Sequence, residues 1–507
     1  VADKQFDLVV IGGGPAGYVG AIRAAQLGMS VACVERDRLG GVCLNWGCIP
    51  TKALLAGASF YHRLKHDAED WGISAQKVSH NWEKVIGRSR GVAGNLNKGV
   101  AGLFKKNKIT HFEAHAFIPE AGTVQLFKPD DPQHQGEPTD TLQAGKILIA
   151  TGAQPRELPF APFDGEKVIR SAEAMTLKTQ PEKLAIIGAG AIGMEFAYFY
   201  NAFGTEVTVI EMLDRVLPIE DHEVSAAAAK AYQKLGVKLL PGHKTTGVEV
   251  TPDGVKLTVG PADDSSDAAG ADKKSYSGQT PKEKQAKGNA DSGGERIIEA
   301  DKVLVAIGVK GRYDGLFDDK LGLELYKDHI KVDYKKEGTD YSTSVDGIYA
   351  VGDVIGPPWL AHLASEEAVL CVERMAGHDA HDIDYDSIPG CTYCEPQVAS
   401  IGLTEQACKD QGLDYKVGKF PFLASGKAQA VGETTGFVKM IAGKKHGEIL
   451  GCHMIGENVT ELIAEIGLAR KLEATADEVI ATIHAHPTMS EATHEAALGT
   501  EGRMLHF

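Results

Sequence analysis

Leu8-Val9-Val10-Ile11-Gly12-Gly13-Gly14-Pro15-Ala16-Gly17 reads as an apolar strand, a glycine turn and the start of a helix, and the pattern occurs twice. The first copy continues as a helical stretch through Leu27, a strand Val31-Ala32-Cys33-Val34 and then Glu35. The second runs Leu184-Ala185-Ile186-Ile187, Gly188-x-Gly190-x-x-Gly193, a helix to about Phe203, a strand Val207-Thr208-Val209-Ile210 and Glu211. In both, the acid follows the first glycine by 23 positions. Each part has a physical use. The first glycine (Gly12, Gly188) permits a tight turn, the second (Gly14, Gly190) lets backbone approach a pyrophosphate, and the third (Gly17, Gly193) lets helix pack on strand. Unpaired N–H groups and the dipole at the helix start favour phosphate, and the acid suits a ribose 2′-hydroxyl. One glycine pattern alone is weak, but two purely structural turns would have to reproduce the spacing by accident. Two dinucleotide-binding βαβ units with parallel sheets are predicted.

A chain of 507 residues has room for three or four domains at roughly 100–200 residues each. Its 43% hydrophobic and 24% charged content is that of a globular protein. The net charge of -16 argues against nucleic acid and anionic membrane as partners, since both reward basic surface. No run of about 18 apolar residues is present, so no membrane span is expected. The strand pattern beginning at Phe6 leaves no room for a signal or transit peptide, so a bacterial cytoplasmic setting is expected ahead of a mitochondrial matrix. Eight cysteines are too sparse for a secreted disulfide framework, which singles out the close pair Cys43 and Cys48.

Residues 260–296 are rich in Gly, Ser, Asp, Lys and Ala and hold one aromatic, Tyr276. Such a stretch buries too little apolar surface to offset its ordering entropy, so a disordered surface insertion in a hairpin loop is expected. Ile147 to Gly152, Val303 to Gly308 and Ile348 to Asp353 are apolar strands ending in glycine or glycine-acid, as if the chain leaves one nucleotide domain and returns. After about Asp382 come strands (Val398 to Leu403, Phe437 to Ile441, Ile449 to Ile455) and then helices (460–472, 476–482), the texture of a separate α+β domain. The predicted fold class is therefore α/β, with two Rossmann-like dinucleotide-binding domains and a C-terminal α+β domain. The expected boundaries are 1–157, 158–312 with the insertion, 313–382 returning to the first domain, and 383–507.

Gly40-Gly41-Val42-Cys43-Leu44-Asn45-Trp46-Gly47-Cys48-Ile49-Pro50-Thr51-Lys52 is expected to open a helix continuing through Leu55. Five residues along such a helix bring two sulfurs within disulfide reach. A thiolate at a helix N-terminus is stabilised by the dipole, which suits thiol–disulfide exchange. On spacing alone, a structural disulfide or two buried thiols stand level with that reading.

The segment resembles the active-site helix of the pyridine nucleotide–disulfide oxidoreductases, and the likeness extends over nearly the whole chain outside 260–296. It is carried by both glycine fingerprints, Ala150-Thr151-Gly152, Val351-Gly352-Asp353 and His486-Pro487-Thr488. Cys43-Leu44-Asn45, Ile49 to Leu55, Leu360-Ala361-His362-Leu363-Ala364-Ser365-Glu366-Glu367, Ile388-Pro389-Gly390 and Val398 to Glu405 resemble the branch that oxidises protein-bound dihydrolipoyl groups with NAD+. The resemblance implies FAD in the first unit, with Glu35 on the adenosine ribose and main chain near His115 at the adenine. Thr151 and Gly152 would line the flavin, Asp353 would hold the ribityl chain, and Leu360-Ala361 would offer amides to the ring. It implies that Cys48 faces the flavin, that Cys43 exchanges with substrate sulfur, and that Lys52, near the flavin, pairs with Glu195. The second unit would hold NAD, with Gly308 near it. Glu211 repels a 2′-phosphate, and no arginine follows it immediately (Arg215 lies close), so NAD is expected over NADP.

His486 would be the acid–base group, with Glu491 orienting its ring; an imidazole titrates near neutrality and can take a proton from a dithiol. His484 is expected to be structural. In the family the His–Glu pair reaches the partner subunit's cysteines, which implies a homodimer joined by the C-terminal domain. Implied partners are lipoyl domains on the acyltransferase cores of 2-oxo acid dehydrogenase complexes, or of the glycine cleavage system.

This chain departs from the family pattern at Val42, where threonine is usual, at Trp46, where a smaller residue is usual, and at Cys394. The last creates Cys391-x-x-Cys394, read as two incidental thiols, because zinc would want a second such pair. Among rivals of the same architecture, a glutathione reductase is disfavoured by Glu211. A mercuric reductase is disfavoured by an ending, Arg503-Met504-Leu505-His506-Phe507, that lacks a cysteine pair. A scaffold subunit keeping FAD only for folding is disfavoured by the retention of Cys43, Cys48, His486 and Glu491.

Overall fold

Apolar runs such as Leu8-Val9-Val10 and Ile147-Leu148-Ile149 have no polar face, so they suit strands covered on both sides, and all six residues are fully buried. The computed structural model describes residues 4–131, 133–262 and 294–507. It divides into two compact units. The first comprises residues 1–54, 83–156 and 308–385, and the second comprises 55–82, 157–307 and 386–507.

In the first unit the strand order is Thr110–Glu113, Val31–Glu35, Lys4–Ile11, Asp140–Ile149, Thr123–Phe127, His115–Glu120, and Ile348–Ala350 also pairs with Asp140–Ile149. Lys4–Ile11 runs parallel to both neighbours, with Ile11 opposite Val34 and Ile149. Ile348–Ala350 adds a further parallel strand against Ile147 to Ile149, so the chain returns to this sheet after some 200 residues spent elsewhere. The helices Pro15–Gln26 and Ala361–Met375 pack together, with Gly20 beside Ala368.

In the second unit a parallel sheet has the order Lys238–Pro241, Glu206–Glu211, Lys183–Ile187, Lys302–Val305, Val168–Ile169. An antiparallel sheet of five strands comes next, in the order Gly390–Thr392, Gln397–Gly402, Ile449–Gly456, Phe437–Gly443, Tyr415–Pro421. The helices Val459–Lys471, Ala476–Ala481 and Glu491–Thr500 complete this α+β part. The sequence pattern did not mark its first and last strands or the helix Glu491–Thr500. No helix among the described residues is long and apolar enough to cross a membrane.

Two boundaries differ from expectation. Residues 55–82, expected with the first domain, belong to the second unit: Tyr61 stacks on Phe203 at 5.0 Å and the Trp82 indole donates to the Leu177 carbonyl at 2.8 Å. Both ends of the stretch expected to be disordered, from 260 to 296, are strand. Gly254–Pro261 and Arg296–Ala300 pair antiparallel, with Val259 opposite Arg296; the bulk of the stretch, 263–293, lies outside the described residues.

The third glycine of each fingerprint is a packing requirement. A Cβ on Gly17 would lie 1.8 Å from the Gly12 carbonyl oxygen, and one on Gly193 would lie 2.0 Å from that of Gly188. A Cβ on Gly190 would meet nothing within 4 Å. Thermal denaturation should therefore show Gly17→Ala and Gly193→Ala losing about 1–3 kcal/mol of stability through overpacking. Gly190→Ala should keep the wild-type Tm, and a Tm lowered as much as that of Gly193→Ala would contradict this.

Candidate active site

The cysteine segment begins where backbone meets backbone. The Gly40 amide donates to the Gly13 carbonyl at 2.7 Å, and a Cβ on Gly41 would come 2.6 Å from Gly14 Cα. Only glycine fits at position 41, where φ is also +55°. From there the chain forms two helices, Gly41–Trp46 and Cys48–His66, where a single helix was expected. Gly47, at φ −149° and ψ −115°, breaks them apart. Cys48 is consequently the first residue of a 19-residue helix, at its positive end, while Cys43 sits in the short helix before it.

Polar side chains bind this break together. Asn45, which is buried, donates to the Leu39 and Gly41 carbonyls at 3.0 Å, and Asn97 donates to Leu39 at 2.6 Å. Thr51 donates to Gly47 at 2.7 Å, and Ser89 donates to Pro50 at 2.8 Å. Arg90, which sequence reading missed, donates to the Asn45 carbonyl at 2.7 Å. Trp46 is explained by its surroundings: its indole N–H donates to Asp37 at 3.0 Å, and the Arg38 and Arg90 guanidinium groups lie 5.5 and 5.2 Å from its ring.

The two sulfurs are free thiols in hydrogen-bonding contact. That bond, then burial and the charge of Cys48, push the Cys43 thiol far up, with Lys52 opposing. The lowered cysteine pKa expected of a helix N-terminus thus does not describe Cys43. Two thiols in contact lose their protons in two steps that belong to the pair and not to either sulfur alone.

Around the first glycine turn, Glu35 accepts from the Gly13 amide at 2.7 Å and the Asp37 amide at 2.9 Å. The Ala114 amide donates to the Glu35 carbonyl at 3.1 Å, which brings main chain next to His115 beside the acid. The His115 ring itself lies against the Pro129 carbonyl at 3.1 Å. Thr151 and Asp353 leave the same end of adjacent parallel strands, with the Val351 amide on the Ile149 carbonyl at 3.1 Å. The Thr151 hydroxyl is buried without a hydrogen-bond partner. Burial pushes Asp353 up to about 6. Glu367, a further residue that sequence reading did not single out, accepts from the Gly352 amide at 2.7 Å and from the Tyr385 hydroxyl at 2.7 Å. Its carboxyl is pushed by burial to about 7. Leu360 caps, and Ala361 begins, the 15-residue helix that carries Glu367. A Cβ on Gly14 would touch only Gly41 Cα, at 3.8 Å. Open space at Gly14, an unspent hydroxyl and a buried acid at the carboxyl end of a parallel sheet fit a dinucleotide bearing a hydroxylated chain, as FAD does.

The second turn repeats the first. Glu211 accepts from the Ala189 amide at 2.7 Å and the Leu213 amide at 2.8 Å, the same offsets as for Glu35. Burial raises its pKa despite those amides. With open space at Gly190, this cradle fits a second dinucleotide. Glu195, buried on the helix Ala191–Ala202, accepts from the Tyr393 amide at 3.0 Å. Gly308, at φ +105°, and Lys52 belong to the first unit, and Glu195 to the second.

His486 Nδ1 lies 2.8 Å from Glu491 Oε1, and the Thr488 amide donates to Oε2 at 2.9 Å. Partial burial works to raise the Glu491 pKa, but the Thr488 amide and the His486 ring outweigh it and hold the carboxyl below its usual value. The carboxylate is therefore ionised at neutral pH and orients the ring, whose side chain is 77% exposed. His484 is structural: it is held between Glu465 at 2.7 Å and the Thr482 carbonyl at 3.0 Å. The cysteines belong to the first unit and His486 to the second.

Residues 6–368 match the family model described as pyridine nucleotide-disulphide oxidoreductase, and residues 388–497 match its dimerisation domain. A dihydrolipoyl dehydrogenase of Zymomonas mobilis is 44% identical over 99% of both chains. One from Bacillus subtilis is 40% identical over 99% of both, and a leghemoglobin reductase of Glycine max is 40% identical over 98% of this chain and 88% of its own. Among solved structures, LpdA from Mycobacterium tuberculosis superposes with a TM-score of 0.82 at 23% identity, covering 97% of this chain and 99% of its own, a likeness of fold. The repeated glycine turns, the paired sulfurs and full-length identities of 40% and above lead to one conclusion: this chain belongs to the pyridine nucleotide-disulphide oxidoreductase family.

Proposed function

We propose that this protein is a dihydrolipoyl dehydrogenase, oxidising protein-bound dihydrolipoyl groups to lipoyl groups and reducing NAD+ to NADH through FAD. The observation that carries this reading is the sulfur pair Cys43–Cys48 in contact at the head of a long helix, its approach pinned to the first glycine turn. The full-length relatives of that name support it.

In this reading residues 1–54, 83–157 and 313–382 form the FAD domain, 158–312 the NAD domain and 383–507 the dimer interface. The cradle of Gly12, Gly14, Gly17 and Glu35 holds the FAD pyrophosphate and ribose, with main chain beside His115 at the adenine. Asp353 serves its ribityl chain, Thr151 and Gly152 line the flavin, and Leu360 and Ala361 offer amides to the ring. Gly188, Gly190, Gly193, Glu211 and Gly308 serve NAD. FAD, when bound in that cradle, would supply the two-electron redox chemistry that links the enzyme dithiol to NAD+.

The chain's own residues handle sulfur and protons. With the pair oxidised, a dihydrolipoyl thiolate attacks the Cys43 sulfur, forming a mixed disulfide and releasing the Cys48 thiolate. The second dihydrolipoyl thiol attacks the substrate sulfur of that mixed disulfide, closing the lipoyl ring and releasing Cys43. His486, oriented by Glu491, takes the proton from the attacking thiol. Its exposed ring suits service to the cysteines of the partner subunit in a two-fold homodimer, for which the dimerisation domain speaks. Lys52 favours the thiolate form of the pair. The physiological reductants are lipoyl domains of 2-oxo acid dehydrogenase complexes or the glycine cleavage system. Bacterial relatives such as that of Zymomonas mobilis favour a cytoplasmic setting.

Cys48→Ser should abolish turnover of dihydrolipoamide while sparing NADH-dependent reduction of a quinone; full lipoamide activity in that variant would overturn the cysteine assignment. His486→Gln should lower kcat with dihydrolipoamide by about 10²–10⁴-fold, the usual scale for losing a general acid–base group. Glu491→Gln should fall between the two, and a wild-type rate in His486→Gln would remove the ring from the mechanism. Steady-state assays with NAD+ and NADP+ should favour NAD+, because the Glu211 carboxylate repels a 2′-phosphate; equal kcat/KM for both would refute that role.

A further inference from the structure

A row of polar side chains crosses the antiparallel sheet of the second unit. The register sets Ser400 opposite His453, His453 opposite Lys439 and Lys439 opposite Lys419, so all four share one face. Lys439 is 1% exposed, a position an ammonium group tolerates only with full compensation. Its Nζ lies 3.0 and 3.1 Å from the two Asp221 carboxylate oxygens, 2.6 Å from Glu405 and 2.8 Å from Glu223. Three N–H donors thus serve three carboxylates. Asp221, equally buried, also accepts the Glu405 amide at 3.1 Å and caps the helix His222–Lys234 by accepting the Glu223 amide at 3.0 Å.

Asp221 ends the segment that begins at Glu211, and the middle of that segment reaches back to the second glycine turn. Buried Leu217 stands at φ +45°, a left-handed backbone that non-glycine residues keep only where the surroundings hold them. Its amide donates to the Ala189 carbonyl at 2.8 Å, while its own carbonyl accepts the Ser225 hydroxyl and the Glu220 amide, both at 3.0 Å. The Ala189 amide in turn donates to Glu211 at 2.7 Å. The segment is pinned at three points: at its start by Glu211, in its middle by the Gly188-Ala189-Gly190 turn, and at its end by Lys439.

We infer that Lys439 is a positioning residue for the second dinucleotide: by holding Asp221 it keeps Leu217 against Ala189, and so keeps the turn and Glu211 in the shape that receives the pyrophosphate and adenosine ribose of NAD+. The inference rests on the reading of this cradle as the NAD site. The lysine touches no atom of that cradle. It acts through the loop that borders the second glycine turn, so its loss is felt more in the NAD+ half-reaction than in flavin reduction.

The test uses flavin-loaded Lys439→Met, Lys439→Arg and Asp221→Asn, the last a milder change that preserves shape should Lys439→Met fail to fold. Calorimetry measures the Kd for ADP-ribose, which occupies the dinucleotide cradle without flavin chemistry. Kinetics measure KM for NAD+ and, separately, the rate of flavin reduction by dihydrolipoamide without NAD+. For Lys439→Met, the Kd for ADP-ribose and the KM for NAD+ should rise about tenfold, the scale on which a remote coupled residue acts, with flavin reduction by dihydrolipoamide held within about twofold. Lys439→Arg should recover most of the affinity, and Asp221→Asn should show a smaller rise of the same pattern. Folded variants with wild-type ADP-ribose affinity, or equal losses in both half-reactions, overturn the inference. A wild-type holoenzyme that turns over dihydrolipoamide yet fails to bind ADP-ribose overturns the cradle assignment, and this inference with it.

Discussion

The backbone of Gly41 lies so close to that of Gly14 that no side chain fits at position 41, and the first site depends on that approach. It is fastened by the Gly40 amide on the Gly13 carbonyl, so the turn that suits a pyrophosphate also anchors the start of the cysteine segment. With the origin set, Gly47 decides the rest. Its non-helical backbone ends one short helix and lets Cys48 begin a long one, placing one sulfur at a helix start and the other in contact with it. Two cysteines in a single continuous helix would leave Cys48 without that positive end.

The acids that close the two βαβ units do more than wait for a ribose. Glu35 and Glu211 each hold the amide inside their own glycine turn and the amide two residues beyond themselves. A carboxylate so engaged is fixed in direction before any ligand arrives, which lowers the ordering cost of binding. The two units share this device down to the residue offsets. In both, the segment after the acid is tied back to the turn, by the Gly40 amide on the Gly13 carbonyl in the first and by the Leu217 amide on the Ala189 carbonyl in the second.

The sulfur pair shows how contact redistributes ionisation. A thiol at a helix start ionises easily, yet contact with Cys48 and burial push the Cys43 thiol up. Two sulfurs in contact suit a pair that takes two electrons from one partner and hands them to the next. The ring of His486, fully oriented by an ionised Glu491 and still open to solvent, complements it with a base that can meet an external thiol.

The sequence alone determined the two glycine fingerprints with their acids, the return of the strand at Ile348 to the first sheet, the cysteine pair and the His486–Glu491 pair. These are local patterns, set by backbone sterics at glycine, by the period of buried strands and by fixed spacing. The tertiary structure alone decided the break at Gly47, the attachment of residues 55–82 to the second unit, the support that Glu367 gives Gly352, the clasp of Arg90 on Asn45 and the burial of Lys439 among three carboxylates. Each of these joins residues far apart in the chain or turns on a backbone angle that neighbouring packing selects. A lysine in a strand and a glutamate in a helix look like ordinary surface residues until folding removes their water, and only then does each need the partner that the fold supplies.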